Sequence, residues 1–108
     1  MSYWILKGKQ PVEVGMLEWS QWHLNTDLSV ASTMFEGVLI STIFLAKDFR
    51  IGTVGSPILF ETMIFSLSKT WAEPLDNYYE RYATWDEAVL GHEFWVKRVM
   101  DEFSRVHV

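Results

Sequence analysis

Cysteine is absent from the 108 residues, which removes disulfides, thiol nucleophiles and thiolate zinc sites. Such a composition fits a reducing cytoplasm. Positive charge is scarce: nine Lys and Arg against fourteen Asp and Glu leave a formal charge of −5. Phosphate backbones and anionic membrane surfaces select clustered Lys and Arg, so general nucleic-acid or membrane binding is not expected. Long apolar runs are missing too. The longest, Val38 to Ala46, is interrupted by Ser41 and Thr42 and falls well short of the roughly 20 residues of a membrane helix. Met1 to Lys9 has no basic region ahead of an apolar one, so no signal peptide is expected.

Aromatic residues are abundant. Six Trp, four Tyr and seven Phe are more than one small core hides fully, so some aromatic surface is expected at a groove, a partner face or an oligomer interface. The length fits one compact domain over residues 1–108. A chain of this mass buries roughly two-thirds of its unfolded surface, enough for one core without metal or disulfide staples.

Tyr3 to Val14 reads as a short hairpin. Its turn is Lys7-Gly8-Lys9-Gln10, and Pro11 starts an edge strand because it cannot donate to a ladder. Gly15 to Leu24 reads as a helix, with Met16, Trp19 and His23 at helical spacing. A hairpin follows, Val30 to Phe35 and Val38 to Ala46, turned at Glu36-Gly37. Both faces of its second strand are mostly apolar, which places that strand centrally. Lys47 to Pro57 is a loop, Ile58 to Phe65 a strand, Ser66 to Asn77 a second loop and Tyr78 to Ala83 a last strand. Thr84-Trp85-Asp86-Glu87 is a capping box opening the strongest helix. On a helical wheel Trp85, Ala88, Val89, His92, Val96, Val99, Met100 and Phe103 share its apolar face. The expected fold is α+β: a single antiparallel sheet of about four to six strands with two helices packed on one face. The apolar residues left for the other sheet face point to a homodimer or a bound partner.

Few residues invite chemistry. Histidines 23, 92 and 107 show no metal-ligand spacing, so no metal or cofactor is expected. His23 reads as a helix-end residue, His107 as a mobile terminal one, and His92 as a core imidazole hydrogen-bonded to a neighbour. Glu61 interrupts an apolar strand. It either faces solvent or needs a buried partner, and if it points at the helices His92 is the nearest one. That pair would fix the helix against the sheet by a charge-assisted hydrogen bond, or floor a small pocket beside Tyr82 and Trp85. Arg81, among Tyr78, Tyr79 and Tyr82, either stacks a planar ligand or is an ordinary outward strand residue. Leu90 and Phe94 break the charged face of the last helix and are read as a partner surface. No nucleophile elbow, P-loop or dinucleotide fingerprint is present, so no catalytic residue is assigned.

Several blocks together resemble a group of small proteins encoded by tailed bacteriophages and prophages. They are Pro57 to Phe65, then Arg81-Tyr82-Ala83-Thr84-Trp85 with Glu87-Ala88, then Gly91-His92. Trp4-Ile5-Leu6, Pro11-Val12-Glu13 and Glu18-Trp19 with Trp22 fit the same group. The resemblance implies a phage origin and the cytoplasm of the infected host, and brings no activity with it. The resulting expectation is a non-catalytic phage accessory protein that inhibits a host or antiviral-defence protein by binding it. Alternatives are a binder of a small nucleotide-like signalling ligand and a small enzyme without a recognisable motif. A deep pocket lined by Arg81, Tyr82 and Trp85 would favour the ligand, and an exposed apolar patch the protein partner.

Overall fold

The chain begins with the expected hairpin. In a computed structural model, which describes residues 1–48, 50, 55–67 and 71–107, β1 (Ser2–Lys7) pairs antiparallel with β2 (Gln10–Val14), from Tyr3 opposite Val14 to Lys7 opposite Gln10. The two-residue turn has positive φ at Gly8 and not at Lys9, the pattern of a type II′ hairpin. β2 is an edge strand, so the missing N–H of Pro11 leaves no gap in a central ladder. Helix α1 (Met16–Leu24) follows at once from Gly15.

A second hairpin joins β3 (Ser29–Phe35) to β4 (Val38–Phe44). Both turn residues, Glu36 at φ 48° and Gly37 at φ 80°, are left-handed, as a type I′ turn requires. β4 then pairs with β6 (Phe60–Ser66), and β6 with β7 (Tyr79–Tyr82), giving the antiparallel order β3-β4-β6-β7. β4 is therefore internal, as its two apolar faces imply.

The expected single sheet is instead two. After Phe44 the chain turns at Ala46, whose φ of 63° ends the strand. A two-residue strand, β5 (Lys47–Asp48), then pairs with β1 and completes a three-stranded sheet β2-β1-β5. Trp4 N–H donates to the Ala46 carbonyl at 2.9 Å, joining the sheets at this corner. The loop expected from Lys47 onward thus begins with strand, and its 51–54 portion lies outside the described residues. In the second expected loop, 68–70 also lie outside them, and Glu73–Leu75 form a 3-10 turn.

Helix α2 (Trp85–Val106) covers one face of the four-stranded sheet. Its cap forms as the sequence indicates: Thr84 Oγ1 accepts from Glu87 N–H and donates to Glu87 Oε1, both at 3.1 Å. Its buried stripe is Ala88, His92, Trp95 and Val99, which corrects the expected face. Trp95 is buried and Met100 is 42% exposed. The indole of Trp95 sets this phase. Its Nε1–H donates to Glu80 Oε2 at 2.8 Å, and its ring lies 4.6 Å from that of Tyr78.

Alternate residues of β4 and β6 face α2 and are buried: Val38, Ile40, Thr42 and Phe44, with Phe60, Thr62 and Ile64. Two apolar clusters result. One gathers Val38, Ile40, Ile64, Ala72 and Val99 around Trp95. The other gathers Phe44, Leu59, Phe60, Tyr82 and Ala88, with Trp19 and Trp22 of α1 packed against it. Full burial of Phe44 and Phe60 contributes about 1.5–3 kcal/mol each. The principal dimensions are 51 × 30 × 22 Å. The radius of gyration of 15.7 Å exceeds the roughly 13 Å of a spherical chain this long. An extended molecule leaves more of its sheet surface uncovered.

Candidate binding site

The residues singled out in the sequence do not converge. Neighbours on a strand point to opposite faces, so Glu61 projects away from Thr62 and from α2. There it accepts from Arg81 Nε–H at 2.8 Å across the β6–β7 register. The expected Glu61–His92 pair therefore does not form, and with it goes the pocket floor. Glu61 keeps 13% side-chain exposure against 52% for Arg81, and Arg81 also stacks on Tyr79 at 5.2 Å. Tyr82 faces the other way, into the core. Leu90 and Phe94 are exposed at 66% and 58% on the outer side of α2.

His92 finds hydroxyl partners instead. Its Nε2 lies 2.9 Å from Thr33 Oγ1 and its Nδ1 2.7 Å from Thr42 Oγ1, which in turn meets Thr62 Oγ1 at 2.5 Å. This polar belt runs across β3, β4 and β6 between the two apolar clusters. Burial holds the imidazole below its ordinary pKa, with the nearby Glu93 opposing. Sequence reading found the histidine and missed the threonines. The available signal was a Thr on the buried stripe of each central strand.

The other histidines are also engaged. His23 lies 4.6 Å from the Trp19 ring. His107, read from the sequence as a mobile terminal residue, stacks on Phe103 at 4.1 Å and its Nδ1–H donates to the Phe103 carbonyl at 2.9 Å. All three imidazoles thus have structural contacts, and His92 has both ring nitrogens occupied.

Two surfaces remain. The sheet face opposite α2 carries Leu39, Ile43, Met63 and Phe65, all part-exposed, with Met34 at 58% and Tyr79 at 55%. Ser32, Ser41 and the Glu61–Arg81 pair supply polar groups to it. Among the described residues, neither helix packs on it. The second is an open groove of about 630 Å³ where the β1–β2 turn meets the start of α2. Trp4, Lys7, Lys9 and Gln10 form one side, Trp85 and Asp86 another, with Pro57 and Leu59 between. Of the five residues expected around a ligand, only Trp85 lines it. Lys9 Nζ lies 6.0 Å from the centre of the Trp85 ring.

The chain matches no family model, no curated protein and no solved structure. No described helix is long and apolar enough to cross a membrane.

Proposed function

We propose that this chain is a non-catalytic binding protein whose partner docks on the uncovered face of the β3-β4-β6-β7 sheet. The observation that carries this reading is the face itself. An antiparallel sheet with one wet face alternates apolar-in with polar-out, whereas here Leu39, Ile43, Met63 and Phe65 continue the apolar pattern outward. A contiguous apolar surface rimmed by polar groups is the ordinary form of a protein–protein contact. The charged pair at its β7 edge, Glu61–Arg81, is already mutually satisfied. It therefore adds little unpaired charge to a buried interface.

The resemblance to phage proteins directs the choice of partner. The occupant to test is a host or antiviral-defence protein in the infected cytoplasm, inhibited by occlusion. A second copy of this chain is the other occupant the experiment reads.

The test uses tagged wild type and a Met63→Lys/Phe65→Lys variant as baits in infected and uninfected cells. The expected result is a protein retained by wild type, lost with the variant, and reconstituted as a stoichiometric complex from purified components. Light scattering of the isolated chain separates the homodimer. A mass near 13 kDa with no partner lost on the variant would refute docking through this face.

A further inference from the structure

Two unpaired cations meet at one cavity of the described surface. Every arginine is committed: Arg50 to Asp48, Arg81 to Glu61, and Arg98 and Arg105 both to Glu102. Lys47 lies over the Trp19 ring at 4.5 Å. Lys7, Lys9 and Lys97 have no ion-pair partner among the described residues; Lys97 stands alone on the outer side of α2, whereas Lys7 and Lys9 line the same groove. In a chain of charge −5, two uncompensated ammonium groups beside a cavity mark a place for an anion. Asp86 is the one carboxylate among the described lining residues. The groove therefore keeps a net positive charge.

The rest of the lining is suited to a flat ring. Trp4 and Trp85 both contribute, and both are held in place. The Trp4 indole N–H donates to Ser2 Oγ at 2.7 Å, while the Trp85 ring stands edge-on to the buried Phe60 at 6.2 Å. An anchored indole presents its face at little ordering cost, and base–aromatic stacking tolerates any base. The Gln10 side-chain amide offers a donor and an acceptor to a ring edge. The hairpin positions the cations: Lys7 pairs with Gln10 across the strand ends, and Lys9 occupies the turn between them. A volume of about 630 Å³ lies within the range of small-molecule sites.

We propose that this groove binds a nucleoside phosphate, its base stacked on the Trp4 and Trp85 indoles and its phosphate held by Lys7 and Lys9. The site is separate from the uncovered sheet face and stands whether or not a protein docks there.

Titration calorimetry with AMP, GMP, CMP and UMP tests it, with inorganic phosphate and adenosine as the anion-only and ring-only arms. At least one nucleotide is expected to bind saturably, more tightly than either arm. Its affinity should fall as salt rises. Lys7→Ala/Lys9→Ala should weaken it about tenfold or more through loss of charge-assisted contacts. Both lysines are exposed, so the urea midpoint should stay unchanged. Trp85→Leu should weaken the nucleotide and leave any phosphate binding alone. No binding at millimolar nucleotide, binding indifferent to the lysine pair, or phosphate binding as tightly as the nucleotide would each overturn the proposal.

Discussion

Gly91→Ala offers a sharp test of how α2 sits on the sheet. In an exposed helix the change is favourable by about 1 kcal/mol, because Ala loses less backbone entropy. Here the new methyl carbon would stand 2.2 Å from both Cζ and the hydroxyl oxygen of Tyr82 and 2.4 Å from Cε1. Ordinary carbon contacts lie at about 3.5–4.0 Å, so the ring would have to withdraw by more than about 1 Å. It has little room to do so: Tyr82 is 7% exposed, and its ring is a rigid plate within the Phe60–Ala88 cluster. Overpacking of this kind costs about 1–3 kcal/mol, occasionally more. At the middle of that range the steric term exceeds the propensity gain, and the expected net loss is about 1 kcal/mol. For a chain near this size that lowers the thermal midpoint by roughly 5 °C.

The decisive comparison is a double-mutant cycle by urea unfolding. Tyr82→Leu removes the atoms in conflict, so Gly91→Ala should become stabilising by about 1 kcal/mol in that background. Tyr82→Phe should not relieve the conflict, because Cζ remains. By itself Tyr82→Phe should be neutral or slightly stabilising. The hydroxyl is buried without a hydrogen-bond partner among the described residues, and burial pushes its pKa up. A Gly91→Ala protein at least as stable as wild type would refute this seating of Tyr82 against the helix.

Three further outcomes are expected. His92 is held below its ordinary pKa by burial, so the unfolded chain binds more protons as pH falls through about 6.5. Its contribution is complete above that pH and is lost toward the lower folded-state pKa, with a slope approaching about 1.4 kcal/mol per pH unit. Urea midpoints from pH 8 to 5 should show the decline, and His92→Phe should flatten it. The carboxyls of Asp48 and Glu102, held low by hydrogen bonds from Arg50 and Arg105, titrate in a separate and more acidic window. Glu36→Asn should raise stability by about 0.5–1 kcal/mol, since Asn suits the left-handed first position of the I′ turn better than Glu. An unchanged or lower urea midpoint would contradict that turn. Leu90→Ser/Phe94→Ser should leave the thermal midpoint within about 2 °C, because both side chains are largely exposed. A large fall would mean that α2 is rotated from the phase described.

Local chemistry was legible in the residues themselves. Pro11 could occupy only a strand start or edge, Glu36-Gly37 marked a tight hairpin, and Thr84 with Glu87 announced the start of α2. The apolar residues on both sides of β4 put that strand inside a sheet. These features depend on φ preferences, caps and alternation, all of which act within a few residues. Which partners met depended on contacts far apart in the chain. The left-handed turn at Ala46 sent Lys47–Asp48 to β1 and made two sheets of one. Strand parity put Glu61 and His92 on opposite sides of β6, and the pairing with β7 brought Glu61 to Arg81. The width of the Trp95 indole against Tyr78 and Glu80 phased α2 with Trp95 inward and Met100 outward. The groove that joins Trp4 to Trp85 could arise only once the first hairpin and the start of α2 had packed together, because neither segment holds both indoles. Sequence patterns settled the elements through short-range physics; side-chain packing and strand pairing across the whole chain chose the faces.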